Sequence, residues 1–107
     1  METLFIKIIN KEIPADILFE NKRVIAFYDI KPAQKGHFLV VPKSFSRNLI
    51  TIKDKDLKYC FSIARKLALK EIKKQEVDGF RIIVNNEASS KQVVFHTHIH
   101  VIPSPKI

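Results

Sequence analysis

The sequence predicts an α+β domain built on a mainly antiparallel β-sheet, with one long helix and a short N-terminal helix. Three observations carry that prediction. Asp54 to Glu76 repeats apolar residues at helical spacing. Phe38-Leu39-Val40-Val41-Pro42 is an apolar run of strand length. His96-Thr97-His98-Ile99-His100-Val101-Ile102 alternates with the period of two that a strand imposes. A chain of 107 residues with 46% hydrophobic content fits one domain, residues 1–107, able to bury one core. A chain this short also gains burial by dimerising.

Taken in order, Thr3 to Lys11 places Leu4, Phe5, Ile8 and Ile9 on one side of a short helix, with Thr3 as its cap. Ile13-Pro14 ends that helix, because a residue before proline avoids the helical region. Ile17 to Glu20 and Arg23 to Asp29 read as a hairpin turning at Asn21-Lys22. Ile30 to Gly36 is a loop, and Phe38 to Pro42 a buried strand that its proline terminates. Ser46 to Ile50 reads as a turn of helix. The long helix then runs over Asp54 to Glu76, with Asp54 as cap and Asp78-Gly79 as stop. Its apolar face is expected at Leu57, Phe61, Ala64, Leu67, Ala68 and Ile72, and its solvated face at Arg65, Lys66, Lys70 and Lys73. Phe80 to Asn85 follows as a strand, Asn86 to Lys91 as a polar loop, and Val94 to Ile102 as the histidine-bearing strand.

Composition excludes several classes. A single cysteine, Cys60, rules out an intramolecular disulfide, and its apolar helical setting reads as buried packing. No apolar run reaches the roughly 20 residues needed to cross a membrane. The N-terminus has no basic lead-in and no small-residue cleavage site, so a cytoplasmic protein is expected. The net charge of +8 favours polyanionic partners. The lysines are spread out and not interleaved with aromatics, however, so nucleic acid is not the expected partner.

The histidines carry the chemistry. Of four in the chain, three stand at 96, 98 and 100. On a strand their rings share one face at roughly 6.6 Å intervals, while Ile99 and Val101 turn to the other face. Two readings compete. One is an open metal site of the three-histidine hydrolytic kind. The other is a histidine nucleophile flanked by histidines that orient it and handle protons and phosphate oxygens. A purely structural row is the third.

The rest of the chain resembles the histidine triad (HIT) family of nucleotide hydrolases and transferases, in its Hint-like branch. The triad is followed by Val101-Ile102. Lys7-Ile8-Ile9-Asn10-Lys11-Glu12-Ile13-Pro14-Ala15 is similar to the family's N-terminal helix. Ala26-Phe27-Tyr28-Asp29-Ile30-Lys31-Pro32 is similar to its nucleoside-binding strand and loop, and Gly36-His37-Phe38-Leu39-Val40-Val41-Pro42-Lys43 to its central strand. Val84-Asn85 and Gln92 fall at the family's spacing before the triad.

The resemblance implies a HIT-like fold and a metal-independent hydrolase with no cofactor, cleaving nucleoside 5′-phosphoramidates or related purine nucleotide conjugates of AMP or GMP. His98 is implied as the nucleophile on the α-phosphorus, His100 as a hydrogen bonder to phosphate oxygens, and His96 as a residue orienting His98. Asp29 is implied on the ribose hydroxyls, Phe27 and Ile30 on the base, and Asn85 and Gln92 near the phosphate or leaving group. A homodimer is implied, paired through the long helix and a strand, with Ile63 and Leu67 contributing. His37 reads as structural. The alternatives are a catalytically weak purine-nucleotide-binding module and a metal-dependent hydrolase using the three-histidine row.

The chain departs from the family pattern at several points. Many bacterial members hold a structural zinc with two N-terminal cysteines, a histidine after the central strand and the first triad histidine. Here the matching positions are Thr3, Ile6 and Phe45, so packing by Ile6 and Phe45 is expected in place of zinc. Val93 stands where some members carry a serine beside the scissile phosphate, and Lys91 where glycine is common. Longer members use a C-terminal tail near the substrate; this sequence runs only to Ile107.

Overall fold

A computed structural model, describing residues 2–107, builds the sheet and helices from these patterns. Helix α1 spans Leu4–Ile9, and the Thr3 hydroxyl caps it by accepting from the Ile6 amide at 3.2 Å. Strands β1 (Ile17–Glu20) and β2 (Val24–Tyr28) form the expected hairpin. The side-chain carbonyl of Asn21 shapes its turn by accepting from the amides of Arg23 and Val24. Strand β3 covers Phe38–Pro42 and every residue of it is buried. Helix α2 runs over Asp54–Gln75, β4 over Phe80–Ile83 and β5 over Ile99–Pro103.

The five strands pair antiparallel in the order β1-β2-β3-β5-β4. Strand periodicity then sorts the core into two layers. Val24, Ala26, Phe38, Val40, Ile99 and Val101 face α2. Ile25, Phe27, Leu39 and Val41 face Phe5 and Ile8 of α1. His100 alternates with Ile99 and Val101 and pairs with Leu39, so it stands on the α1 side of the sheet.

Several expectations change. The histidine-bearing strand begins only at Ile99; His96 and His98 precede it. Thr97 explains this, because its amide donates to the Ser46 carbonyl at 2.8 Å and its hydroxyl meets the Ser46 hydroxyl at 2.6 Å. These bonds tie the segment to the loop after β3 instead of to a ladder. Strand β4 likewise stops at Ile83, short of Asn85. Ser46 to Ile50 forms turns without a helical turn.

Asp54 is already helical and is not the cap. Lys53 takes the extended N-cap backbone, and Asp54 and Asp56 occupy the first turn, where a carboxylate complements the helix dipole. The left-handed stop is at Glu76 (φ 58°), two residues before Asp78-Gly79. The buried face of α2 is Cys60, Ile63, Ala64, Leu67, Ala68 and Glu71; Leu57, Phe61 and Ile72 are only half-buried at its margins. Ile63 and Leu67 therefore belong to the core and are not available to a partner chain. The lysine- and arginine-bearing face is exposed as expected. Among the described residues no helix is long and apolar enough to cross a membrane.

Candidate active site

A cavity of about 670 Å³ opens on the α1 side of the sheet, lined by Phe27, Asp29, Asn85, Val93, His98 and His100 among others. The strand pairing builds it. His100 is paired with Leu39 on one side and Ile83 on the other, so the segment after β2 and the segment after β4 flank it. The first flank carries Asp29 and Ile30, and the second carries Asn85, Lys91 and Val93.

The hydrogen bonds assign a proton to each imidazole. His98 Nδ1 lies 2.7 Å from the carbonyl of His96, which can only accept, so Nδ1 carries the hydrogen and Nε2 keeps a free lone pair. Burial holds its pKa below the ordinary histidine value, against the opposing pull of that carbonyl and Asp29. The ring is therefore neutral near pH 7, with its lone pair available. The His98 ring packs in a T-shape with Phe5 of α1 at a centroid distance of 4.9 Å, which fixes its tilt.

His37 sets the state of His100. The Ala33 amide donates to His37 Nδ1 at 3.0 Å, which leaves the His37 hydrogen on Nε2. That nitrogen is 3.0 Å from His100 Nδ1, which must accept, so the remaining His100 nitrogen, Nε2, is a donor. Burial, with His98 and His37 close by, pushes the His100 pKa down to about 4. The sequence assigns His37 a structural place; it is buried and also governs the tautomer of a cavity residue. The signal for it is the period of two from Leu39, which puts His37 on the face of His100.

His96 is fully buried and outside the cavity lining. Its Nε2 donates to the Pro42 carbonyl at 2.8 Å. It orients His98 through its main-chain carbonyl and not through its ring. Around that ring stand two of the residues that replace the family's zinc ligands. The Thr3 hydroxyl is 3.4 Å from His96 Nδ1, and the Phe45 ring packs edge-on at 5.2 Å. Ile6 contributes its amide, which donates to Thr3. Thr3 thus adds a polar contact to the packing of Phe45.

Asp29 is partly buried, and one carboxylate oxygen accepts from the Lys31 amide at 2.9 Å. The other is 3.6 Å from His37 Nε2. Phe27 is shared between the core and the cavity floor, while Ile30 is 88% exposed at the rim. Gln92 departs from its expected role. Its Nε2 donates to the carbonyls of Arg47 and Val94, and its Oε1 accepts from Asn48 and the Glu87 amide. All four bonding positions of the amide are used inside the protein, so Gln92 holds the loop and does not face the cavity.

Glu87 is the second residue the sequence does not reveal. Its backbone (φ 78°, ψ 160°) lies in a region that glycine alone visits readily. The carboxylate is gripped by Arg47 at 2.8 and 3.0 Å and by Asn48 at 2.6 Å, and the guanidinium holds its pKa down at about 2. These bonds clamp the loop carrying Asn85 and Lys91 to the loop after β3.

The triad rings do not converge on one point as ligands would. Among the described residues, the group whose donor atoms come together is Asp29, His37 and His100, within 4.8 Å of one another. There the two imidazole nitrogens already bond each other.

The HIT domain family model matches residues 10–107, and the chain belongs to that family. A HIT-like protein of Mesomycoplasma hyorhinis, described as uncharacterized, is 55% identical over 102 residues, covering 95% of this chain and 92% of its own. A crystal structure of a Hit-like protein involved in cell-cycle regulation from Bartonella henselae superposes with a TM-score of 0.94 at 39% identity, over 98% of this chain and 81% of that one. The histidine triad nucleotide-binding protein of Candida albicans gives a TM-score of 0.88 at 34% identity, over 98% and 76% of the two chains.

Proposed function

We propose that this protein is a metal-independent nucleotide hydrolase that transfers the nucleotidyl group of a purine nucleotide conjugate, such as an AMP or GMP phosphoramidate, first to His98 and then to water. The observation that carries this reading is the tautomer of His98. Its Nδ1 hydrogen is committed to the His96 carbonyl, which leaves Nε2 unprotonated beside a cavity of nucleotide size. The Candida albicans relative is a histidine triad nucleotide-binding protein, which supports the same substrate class.

In the first step His98 Nε2 forms a bond to the α-phosphorus. The bond to the leaving nitrogen breaks, and its electron pair takes a proton from solvent. The Nδ1 hydrogen bond stabilises the positive imidazolium of the intermediate. His100 Nε2–H donates to a phosphate oxygen, and Asn85 contacts the phosphate from the other flank. In the second step water adds to phosphorus, releases a proton to solvent and returns the electron pair to Nε2. Asp29 accepts from the ribose, and Phe27 and Ile30 cover the base. We assign the working form as a cytoplasmic homodimer. The unpaired edge of β4 and the exposed Leu69 and Ile82 support this assignment. A solution mass equal to one 12.4 kDa chain would contradict it.

The test is AMP release from an adenosine 5′-phosphoramidate, with and without EDTA, for wild type and His98→Ala. Chelator-insensitive turnover that vanishes in His98→Ala is expected. Chelator-sensitive turnover would favour a metal centre instead, and AMP binding without turnover a pure binding module.

A further inference from the structure

We infer that Lys91 makes this site select nucleotides whose leaving group is an oxyanion, such as a second phosphate, over those that release a neutral amine. The inference rests on the hydrolase reading above and specifies its substrate class. It starts from position. Lys91 lines the cavity on the flank after β4, across the His98–His100 pair from Asp29 and Ile30. With the nucleoside on the Asp29 flank, the group that departs from the α-phosphorus faces Lys91.

Two further observations point the same way. Lys91 holds a left-handed backbone (φ 70°), where glycine would be unstrained. A long charged residue kept at a strained position on a cavity rim points to a job for its side chain. That side chain is also exposed, and among the described residues its ammonium enters no ion pair or hydrogen bond. The nearby carboxylate, Glu87, is already engaged by Arg47 and Asn48. Beside Lys91, Val93 is 83% exposed and lines the same rim.

The chemistry of departure separates the two substrate classes. A leaving amine must take its proton from solvent, because Val93 has none to give or relay. A leaving phosphate departs as an anion and needs only a nearby positive charge, which Lys91 supplies. For a nucleoside diphosphate, His98 Nε2 bonds to the α-phosphorus and the P–O bond breaks with its electron pair on the bridging oxygen. Inorganic phosphate leaves. Water then adds at phosphorus, loses one proton to solvent and frees Nε2. One water is consumed, and nucleoside monophosphate and phosphate are the products.

The experiment has a binding arm and a turnover arm. AMP and the non-cleavable α,β-methylene-ADP are titrated into wild type, Lys91→Gly, Lys91→Met and Lys91→Arg. Lys91→Gly relieves the backbone, so it should melt no lower than wild type. Loss of the ammonium in Lys91→Gly and Lys91→Met should weaken α,β-methylene-ADP about fivefold, the scale of one exposed charge contact, with AMP unchanged and Lys91→Arg close to wild type. Unchanged α,β-methylene-ADP affinity in both neutral variants overturns the inference. In the turnover arm, wild type should release phosphate from ADP faster than ammonia from adenosine 5′-phosphoramidate. The reverse order overturns the inference and leaves the hydrolase reading standing. Turnover of neither substrate overturns both.

Discussion

At His98 the nitrogen facing the cavity lacks a proton because a carbonyl two residues earlier takes the hydrogen of the other nitrogen. At His100 the opposite state is imposed through His37, whose own tautomer is set by the Ala33 amide. One ring thus offers a lone pair and its neighbour a hydrogen, although both are neutral imidazoles. Replacing His37 by Leu removes the donor to His100 Nδ1 and frees that ring to flip its tautomer. Under the proposed mechanism, kcat should fall about five- to tenfold, the scale of one hydrogen bond, with KM nearly unchanged, and His37→Gln should recover part of the loss. Equal kcat in His37→Leu would remove His37 from the account. At Glu87 strain and bonding oppose each other. Glu87→Gly loses the Arg47 and Asn48 bonds but relaxes the backbone, whereas Glu87→Ala loses the bonds and keeps the strain. Thermal melting should rank wild type above Glu87→Gly, and Glu87→Gly above Glu87→Ala. His98 and His100 stood out in sequence because their spacing is local, and Asp29 through the family resemblance. His37 and Glu87 were not, because their partners lie 63 and 40 residues away.

The elements divide the work of positioning. Helix α1 is short, yet its cap residue Thr3 reaches His96 and its buried Phe5 braces His98. The periodicity found this helix and its cap, but nothing local in its sequence says which ring it braces. The histidine row was expected to be continuous strand, and alternation did predict which face each residue of β5 takes. It could not predict that Thr97 would bond to Ser46 and end the ladder early, because that competitor comes from another loop. Helix α2 reaches the site through Glu71, buried beneath the turn that carries His37. Its carboxylate accepts from Tyr28 at 2.7 Å and from Gln75 at 2.6 Å. Gly36 allows this approach: it has φ 87°, and an added Cβ would meet a Glu71 oxygen at 2.7 Å. Gly36→Ala should cost about 1–3 kcal/mol in chemical denaturation, from the positive φ and the displaced carboxylate. A cost near zero would mean the turn can rearrange without disturbing α2.

Across the whole molecule the histidines make stability depend on pH. Burial lowers the pKa of His37, His96, His98 and His100, the last to about 4. A histidine whose folded pKa lies below its unfolded value of about 6.5 binds its proton more readily in the unfolded chain. Above pH 6.5 the four groups therefore cost no stability. As pH falls from 6.5 toward 4, protonation increasingly favours unfolding. The melting temperature should be flat from pH 8 to 7 and drop steadily between pH 6.5 and 4. A flat profile through pH 5 would mean the imidazoles are not held neutral. Under the proposed mechanism, the same neutrality leaves His98 able to attack at physiological pH.

That attack is the central claim, and trapping its product tests it most directly. Wild-type protein mixed with an adenosine 5′-phosphoramidate, quenched in alkali within the first turnover and digested, should yield one peptide carrying a single added adenylyl group on His98. The increment should be absent from His98→Ala and unaffected by EDTA. An adduct on another residue, or turnover with no adduct at any quench time, would contradict the account and point to direct attack by water.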